Sequence, residues 1–277
     1  MANPVHEQNR RSWNAIIPVH NSHKRDQAGF FRDGGSTLYP EELELLGDIE
    51  GKRLVHLQCN CGQDSLSLAQ RGAEVLGVDI SDAAIEFAEG LSRDAEIPAR
   101  FIRQDLLEWF ETTEERFELG FATYGTIGWL EDLDAWARGV ARVLEPGGRL
   151  VLLEFHPLVW SFGPEPDSYF LEGRIDEAGG VGDYVGQSKL LAPSGFLEGE
   201  QDFENPEPAH SYQWTVAMIL QAVLDAGLML EKVREYPYSN GCRLFEGMRP
   251  LPGRRWEMPE GQVAMPLMFG LAARKPS

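Results

Sequence analysis

A carboxylate that follows a sharp turn by about twenty residues can accept both hydroxyls of a ribose. The chain has such a pair in the turn Gln58-Cys59-Asn60-Cys61-Gly62 and in Asp79. For that chemistry the turn has to lie between a strand and a helix, with a second strand delivering the acid. Leu54 to Leu57 is a short apolar run interrupted by His56, and Asn60 and Gly62 tolerate the positive φ that a tight turn demands. Asp64 and Ser65 can cap the next helix, whose apolar stripe is Leu66, Leu68 and Ala69, so free N–H groups and a positive helix end face the turn. Ala73 to Ile80 is again apolar and β-branched, and a right-handed crossover brings Asp79 beside the turn. This is half of a nucleotide site.

The rest of the chain repeats the alternation. Upstream, Asn9 to His20 predicts a short amphipathic helix with Trp13 and Ile16 on one side, ending near Pro18. Phe30-Phe31 reads as an anchor, and Glu41 to Leu46 as a helix between Pro40 and Gly47. Downstream, Ser81 caps a helix to Ala88, Ala99 to Arg103 and Phe117 to Tyr124 are strands, and Leu133 to Leu144 is a helix stopped by Pro146-Gly147-Gly148. Arg149 to Phe155 is a fifth strand. The pattern indicates a doubly wound, mostly parallel α/β sheet with helices on both faces. From Pro157 to about Ala209 the pattern dissolves into Gly, Pro and acids with scattered aromatics, too long for a structureless loop, so a few strands or a hairpin forming a cap are expected. Thr215 to Ala226 is a helix, and Leu228 to Tyr236 and Met265 to Arg274 are strands. The domains read as 1–50, an N-terminal helical cap; 51–156 with 211–277, the ligand-binding α/β domain; and 157–210, an inserted substrate cap.

Composition bounds the partners. Of 277 residues, 44 are acidic and 25 basic, a formal charge of −19 that repels nucleic acid and anionic membrane surfaces. Neither is expected as a partner, and the oligomeric state is not legible. Three cysteines and a start without an apolar signal core point to a reducing cytoplasm. Cys59-x-Cys61 has no second ligand pair at zinc spacing, so both read as turn residues and no metal is expected.

Taken together, these segments resemble the class I S-adenosylmethionine-dependent methyltransferases over roughly 45–156 and again 212–275. VHLQCNCGQD (55–64) is similar to the family's first motif, Gln104-Asp105-Leu106 to its adenine-contacting turn, and Leu144-Glu145-Pro146-Gly147-Gly148 to its leucine-x-proline-glycine-glycine signature. The last helix and strands resemble its C-terminal antiparallel hairpin, which implies a seven-stranded Rossmann-like sheet. Where the usual motif has an acid and three glycines, this chain has His56, Gln58 and Asn60 and keeps only Gly62. A methyltransferase subgroup carries a similar histidine-leucine-glutamine-cysteine run. The resemblance implies S-adenosylmethionine as cofactor, with Gln58 and Cys59 along its methionine part, Asp79 on the ribose, Asp105 on the adenine amine and Tyr124 near the sulfonium. Leu57, Asn60, Gly62, Ile80, Gln104, Leu106 and Thr123, in the same strand ends and turns, complete the implied cofactor site.

Methyl transfer from a sulfonium needs positioning and exclusion of water rather than a covalent residue. Tyr124 and Trp129 fall at a strand's carboxyl end, where ligand sites of open sheets lie. If the nucleophile is a hydroxyl, His156, just past the fifth strand, is the candidate base, with Glu154 to orient it. Trp13, Trp129, His210 and Trp214 are candidate contacts to a small-molecule acceptor. His56 reads as a satisfied, half-buried strand residue. Two alternatives stay open: a protein of the same fold that binds cofactor without turnover, and a nicotinamide-dependent oxidoreductase, although G-x-G-x-x-G is missing.

Overall fold

The computed structural model describes residues 3–162, 168–171 and 173–277. Three helices, α1 (Pro4–Ser22), α2 (Gln27–Arg32) and α3 (Pro40–Leu46), precede the sheet. Strand and helix then alternate: β1 (Arg53–Leu57), α4 (Gln63–Ala69), β2 (Glu74–Asp79), α5 (Asp82–Ala95), β3 (Arg100–Arg103), α6 (Leu106–Thr112), β4 (Phe117–Thr123), α7 (Leu133–Val143) and β5 (Leu144–Phe155). The later part adds β6 (Arg174–Glu177), α8 (Tyr184–Ser188), β7 (Ala209–Tyr212), α9 (Val216–Asp225), β8 (Met229–Tyr236), β9 (Tyr238–Asn240), β10 (Arg249–Leu251), β11 (Arg255–Glu257) and β12 (Met268–Arg274).

Seven strands form one sheet in the order β3-β2-β1-β4-β5-β12-β8. β1 pairs in parallel with β2 and β4, as do β2 with β3 and β4 with β5, while β12 runs antiparallel between β5 and β8. The order reverses between β1 and β4, so the clefts beyond their carboxyl ends form the switch point where ligands of doubly wound sheets bind. The expected mostly parallel seven-stranded fold is therefore present. Both faces are sealed by apolar side chains: Trp136, Val140 and Val143 of α7 pack with Val55, Leu57 and Leu152 on one side, and Leu45, Leu46, Leu68, Phe121 and Leu153 fill the other.

Several local expectations need correction. α1 runs through Pro18 to Ser22 instead of stopping there. An interior proline costs a helix about 3 kcal/mol, and here contacts with distant segments offset it: Asn9 Nδ2 donates to the His210 carbonyl, Ser12 Oγ to that of Glu207, and His23 pairs with Asp183. α4 starts after Gly62, with no side-chain cap from Asp64 or Ser65. Asp64 accepts instead from Thr37 Oγ1, and Ser65 pairs with His56. The sequence reading also missed α6, a helix of about two turns capped by Asp105, and the small β10-β11-β9 sheet between β8 and β12. In the irregular 157–210 stretch the structure has the β6–β7 pair and α8.

Candidate active site

The turn after β1 is built from left-handed residues: φ is +52° at Gln58, +48° at Asn60 and +73° at Gly62. Asn60 makes its own turn, its Oδ1 accepting from Cys61 N at 2.7 Å, while its backbone N–H donates to Asp79 Oδ2 at 2.8 Å. Only at Gly62 does packing forbid a side chain, because a Cβ there would lie 2.8 Å from Ala88 Cβ and from the Phe101 ring. Gln58 donates through Nε2 to the Thr126 carbonyl at 2.9 Å. Its Oε1 is buried and has no partner among the described residues.

Asp79 stands at the end of β2 with one oxygen on Asn60 N and the other on Ser81 N at 2.8 Å. Burial pushes its carboxyl pKa up against those stabilising N–H bonds. The carboxylate, with Ile80 N also contributing, still keeps acceptor capacity to spare. Asp105 caps α6, its Oδ1 accepting from Leu107 N and Glu108 N, and its Oδ2 contacts His6 Nδ1 of α1. Burial acts to raise its pKa, but His6 and the cap bonds hold it below the usual value. His6 Nε2 is left buried and without a partner among the described residues.

These residues meet in a cavity of about 740 Å³ above the carboxyl edge of the sheet, and Gln58, Cys59, Asn60, Asp79, Ile80, Asp105, Leu106, Thr123 and Tyr124 all line it. Trp13 and Trp129 line it too, packed edge to face with ring centroids 5.5 Å apart. Tyr124, with φ +46°, turns its hydroxyl away toward Glu42, donating to Oε1 at 2.6 Å and accepting from Asn240 Nδ2 at 2.8 Å. Glu42 is buried, which raises its pKa well above the ordinary range.

Other expected residues lie elsewhere. Leu57 is sealed in the core, Gly62 shapes the turn from behind, and the Gln104 side chain bonds Thr112 on the surface; none of the three lines the cavity. His156 is also outside it. Strand geometry ends at Phe155, and the imidazole turns to Leu158 N through Nδ1 and to Glu235 Oε1 at 3.2 Å through Nε2. Glu154 does not orient His156 but accepts from the backbone N–H groups of Gly125, Thr126 and Ile127, holding the loop after β4. His210 pairs with Asp176 across the β6–β7 ladder, and Trp214 Nε1 donates to the carbonyls of Ile127 and Leu130. Their neighbours Ser211, Tyr212 and Gln213 take the lining positions instead.

Sequence reasoning missed His6, Asn9 and His20 of α1, Lys24 after it, Asn240 at the end of β9, and Cys242, Arg243 and Arg254 between β9 and β11. His56 also lines the cavity, with Nδ1 on Ser65 Oγ at 2.8 Å. Burial brings His56 to a pKa of about 4, against the pull of Asp64, and burial with Lys24 nearby brings His20 to about 4. Both imidazoles are neutral at pH 7. Among the described residues no group of three or more His, Cys, Asp or Glu side chains is arranged to hold a metal ion.

Residues 55–148 match the family model for a methyltransferase domain. A ubiquinone biosynthesis O-methyltransferase of Alkalilimnicola ehrlichii is 27% identical over 131 residues, 47% of this chain and 53% of that protein. The chain thus spans about half the length of the curated relatives it matches. Among solved structures, an S-adenosylmethionine-dependent methyltransferase from Listeria monocytogenes aligns with TM-score 0.58 at 18% identity, covering 86% of this chain and 97% of that one. The cyclase SpnF aligns with TM-score 0.60 at 15% identity over 100% of this chain and 98% of its own, so the likeness fixes the architecture and leaves the reaction to the site. Residues 55–148 thus carry a methyltransferase domain, and the seven-stranded sheet with its antiparallel β12 has the fold of the S-adenosylmethionine-dependent methyltransferase from Listeria monocytogenes.

Proposed function

We propose that the chain is an S-adenosylmethionine-dependent methyltransferase of the reducing cytoplasm, acting on a small-molecule acceptor enclosed between the sheet edge and its coverings from 1–50 and 157–210. The single observation that carries this reading is the convergence on one cavity of the β1 turn, Asp79, the Asp105–α6 turn and Tyr124. The cofactor fits the residues present. The Asp79 carboxylate retains acceptor capacity for a ribose hydroxyl, and Gln58 Oε1 and His6 Nε2 are buried polar atoms that call for a ligand or water partner. The carboxylate of Asp105, occupied by the α6 cap and His6, would act on the adenine end chiefly by fixing that turn.

When bound, the cofactor supplies an electrophilic methyl group. The chain's own residues then have three tasks. Asp79 and the turn fix the position of the nucleotide, Trp13 and Trp129 exclude water, and the Gln58–Thr126 bond with Glu154 keeps the loop after β4 from shifting beneath the acceptor. The Tyr124 ring, 5.5 Å from that of Phe155, offers an aromatic face to a cation. The formal charge of −19 supports a small molecule over nucleic acid as partner. All three cysteines are free, in keeping with a reducing compartment, and no helix among the described residues is long and apolar enough to cross a membrane.

The test is calorimetry with S-adenosylmethionine, S-adenosylhomocysteine and NAD. Binding of the two sulfur compounds and not of NAD is expected, and binding of neither would sink the proposal. Binding without methylation of any acceptor in a metabolite panel would favour a cofactor-binding protein without turnover.

A further inference from the structure

The cavity is lined by three cations, Lys24, Arg243 and Arg254, and among the described residues none has a carboxylate oxygen within 4.0 Å. In a chain with 44 acids to 25 bases this is unusual company for a cation, and the adjacent Arg255 shows the ordinary outcome by pairing with Glu41. Arg243 lies 6.0 Å from the Trp256 ring centroid, and no hydrogen bond from its guanidinium to a described residue is present. Arg254 stacks 4.4 Å over the Tyr39 ring and gives one N–H to the Thr37 carbonyl at 2.8 Å, so most of its donors remain. Lys24 is the most exposed to cost. Its backbone forms an isolated bridge with Phe196, its half-buried side chain meets the cavity, and burial pushes its pKa down. Asp64 is near enough to be felt and too far to pair. A desolvated cation costs several kcal/mol unless an anion joins it. The cavity wall also carries the acids Asp64, Asp79, Asp105 and Glu177, and its apolar, ring-bearing parts include Phe30, Tyr39, Trp160 and Leu244.

We infer that the acceptor is a small carboxylic acid with an apolar, ring-bearing body, and that Lys24, Arg243 and Arg254 receive its carboxylate. This rests on the methyltransferase reading above. Guanidinium groups suit the task because their planar donor fork matches a carboxylate.

The experiment titrates hydroxybenzoic and hydroxycinnamic acids, and the methyl esters of the same compounds, into full-length protein saturated with S-adenosylhomocysteine. At least one acid is expected to bind roughly tenfold or more tightly than its ester, the effect of one charge-assisted hydrogen bond. R243Q and R254Q should each remove about that factor for the acid, while moving ester and S-adenosylhomocysteine affinity by less than about twofold. K24M separates the two carboxylates that could meet Lys24: a loss confined to the acid assigns it to the acceptor, and a loss confined to S-adenosylhomocysteine overturns that assignment. Esters that bind as tightly as acids, or no acid of the panel binding, overturn the inference as a whole. The acid-to-ester comparison needs no variant and so survives any that misfold. Failure of S-adenosylhomocysteine itself to bind would instead remove the methyltransferase reading.

Discussion

Asp79 is the residue proposed to hold the ribose, and its two oxygens are already aimed by Asn60 N and Ser81 N. Asp79→Ala should weaken S-adenosylhomocysteine binding by about ten- to a hundredfold, since hydrogen bonds to a charged group contribute roughly 1.5–3 kcal/mol. Calorimetry checks this, and an unchanged dissociation constant would contradict it. The same scale explains how a first motif with one glycine works. Asn60 adopts positive φ and satisfies the next N–H with its own side chain, whereas Gly62 is needed because Ala88 and Phe101 occupy the space of a Cβ. Gly62→Ala is therefore expected to destabilise by about 1–3 kcal/mol through overpacking and strain, and Asn60→Gly by less than about 1 kcal/mol, both read from urea denaturation. That Asp79, the turn and Tyr124 meet at one cavity was legible in sequence because their placement follows from position along a strand. His156 was not, because its direction depends on the break at Pro157, which strand periodicity does not foretell.

At the scale of elements, the sheet and its main helices were legible because apolar period and capping residues agree: Ser81 caps α5 and Thr215 caps α9 as their types suggest. The cover was not, since α1 owes its length to contacts with residues some two hundred positions away, such as Asn9 with His210, that no local pattern records. The loop after β4 is a case where one side chain holds an element. Glu154 accepts three backbone N–H groups and the Thr126 hydroxyl, the donors of Thr126 and Ile127 being buried. Removing it strands those donors, at about 1–3 kcal/mol for each, so Glu154→Ala should lower unfolding free energy by several kcal/mol and reduce cofactor affinity through Gln58 and Thr126. Glu154→Gln, which keeps an acceptor oxygen, should cost less. Equal stability of the two variants in chemical denaturation would argue against this role.

For the whole molecule, the buried imidazoles set a pH dependence. His20 and His56 have ordinary values near 6.5 and fall to about 4 in the fold. Between those values the unfolded chain binds the protons, so this contribution is present above pH 6.5 and is lost as pH falls toward 4. At about 1.4 kcal/mol per pKa unit, each histidine contributes roughly 3 kcal/mol across that window. Glu42, Asp79 and Glu154, raised by burial, act in the opposite sense and soften the loss. Urea denaturation at pH 7 and pH 4.5 should show lower stability at the acid value, and His56→Gln should flatten the slope. A profile level across this range would refute it.

The order of elements along the chain also carries a consequence for synthesis. The sheet edge bearing Asp79, Asp105 and Tyr124 is encoded before residue 156, but its covering joins α1 to β7, and the cavity wall at Asn240, Arg243 and Arg254 comes later still. β12, which flanks β5, is encoded last of all. At about 5–20 residues per second, a chain leaving the ribosome carries an open, apolar ligand cleft for several seconds before the residues that roof it exist. During that interval the nascent cleft offers a chaperone, or free cofactor, the surface that the finished protein hides.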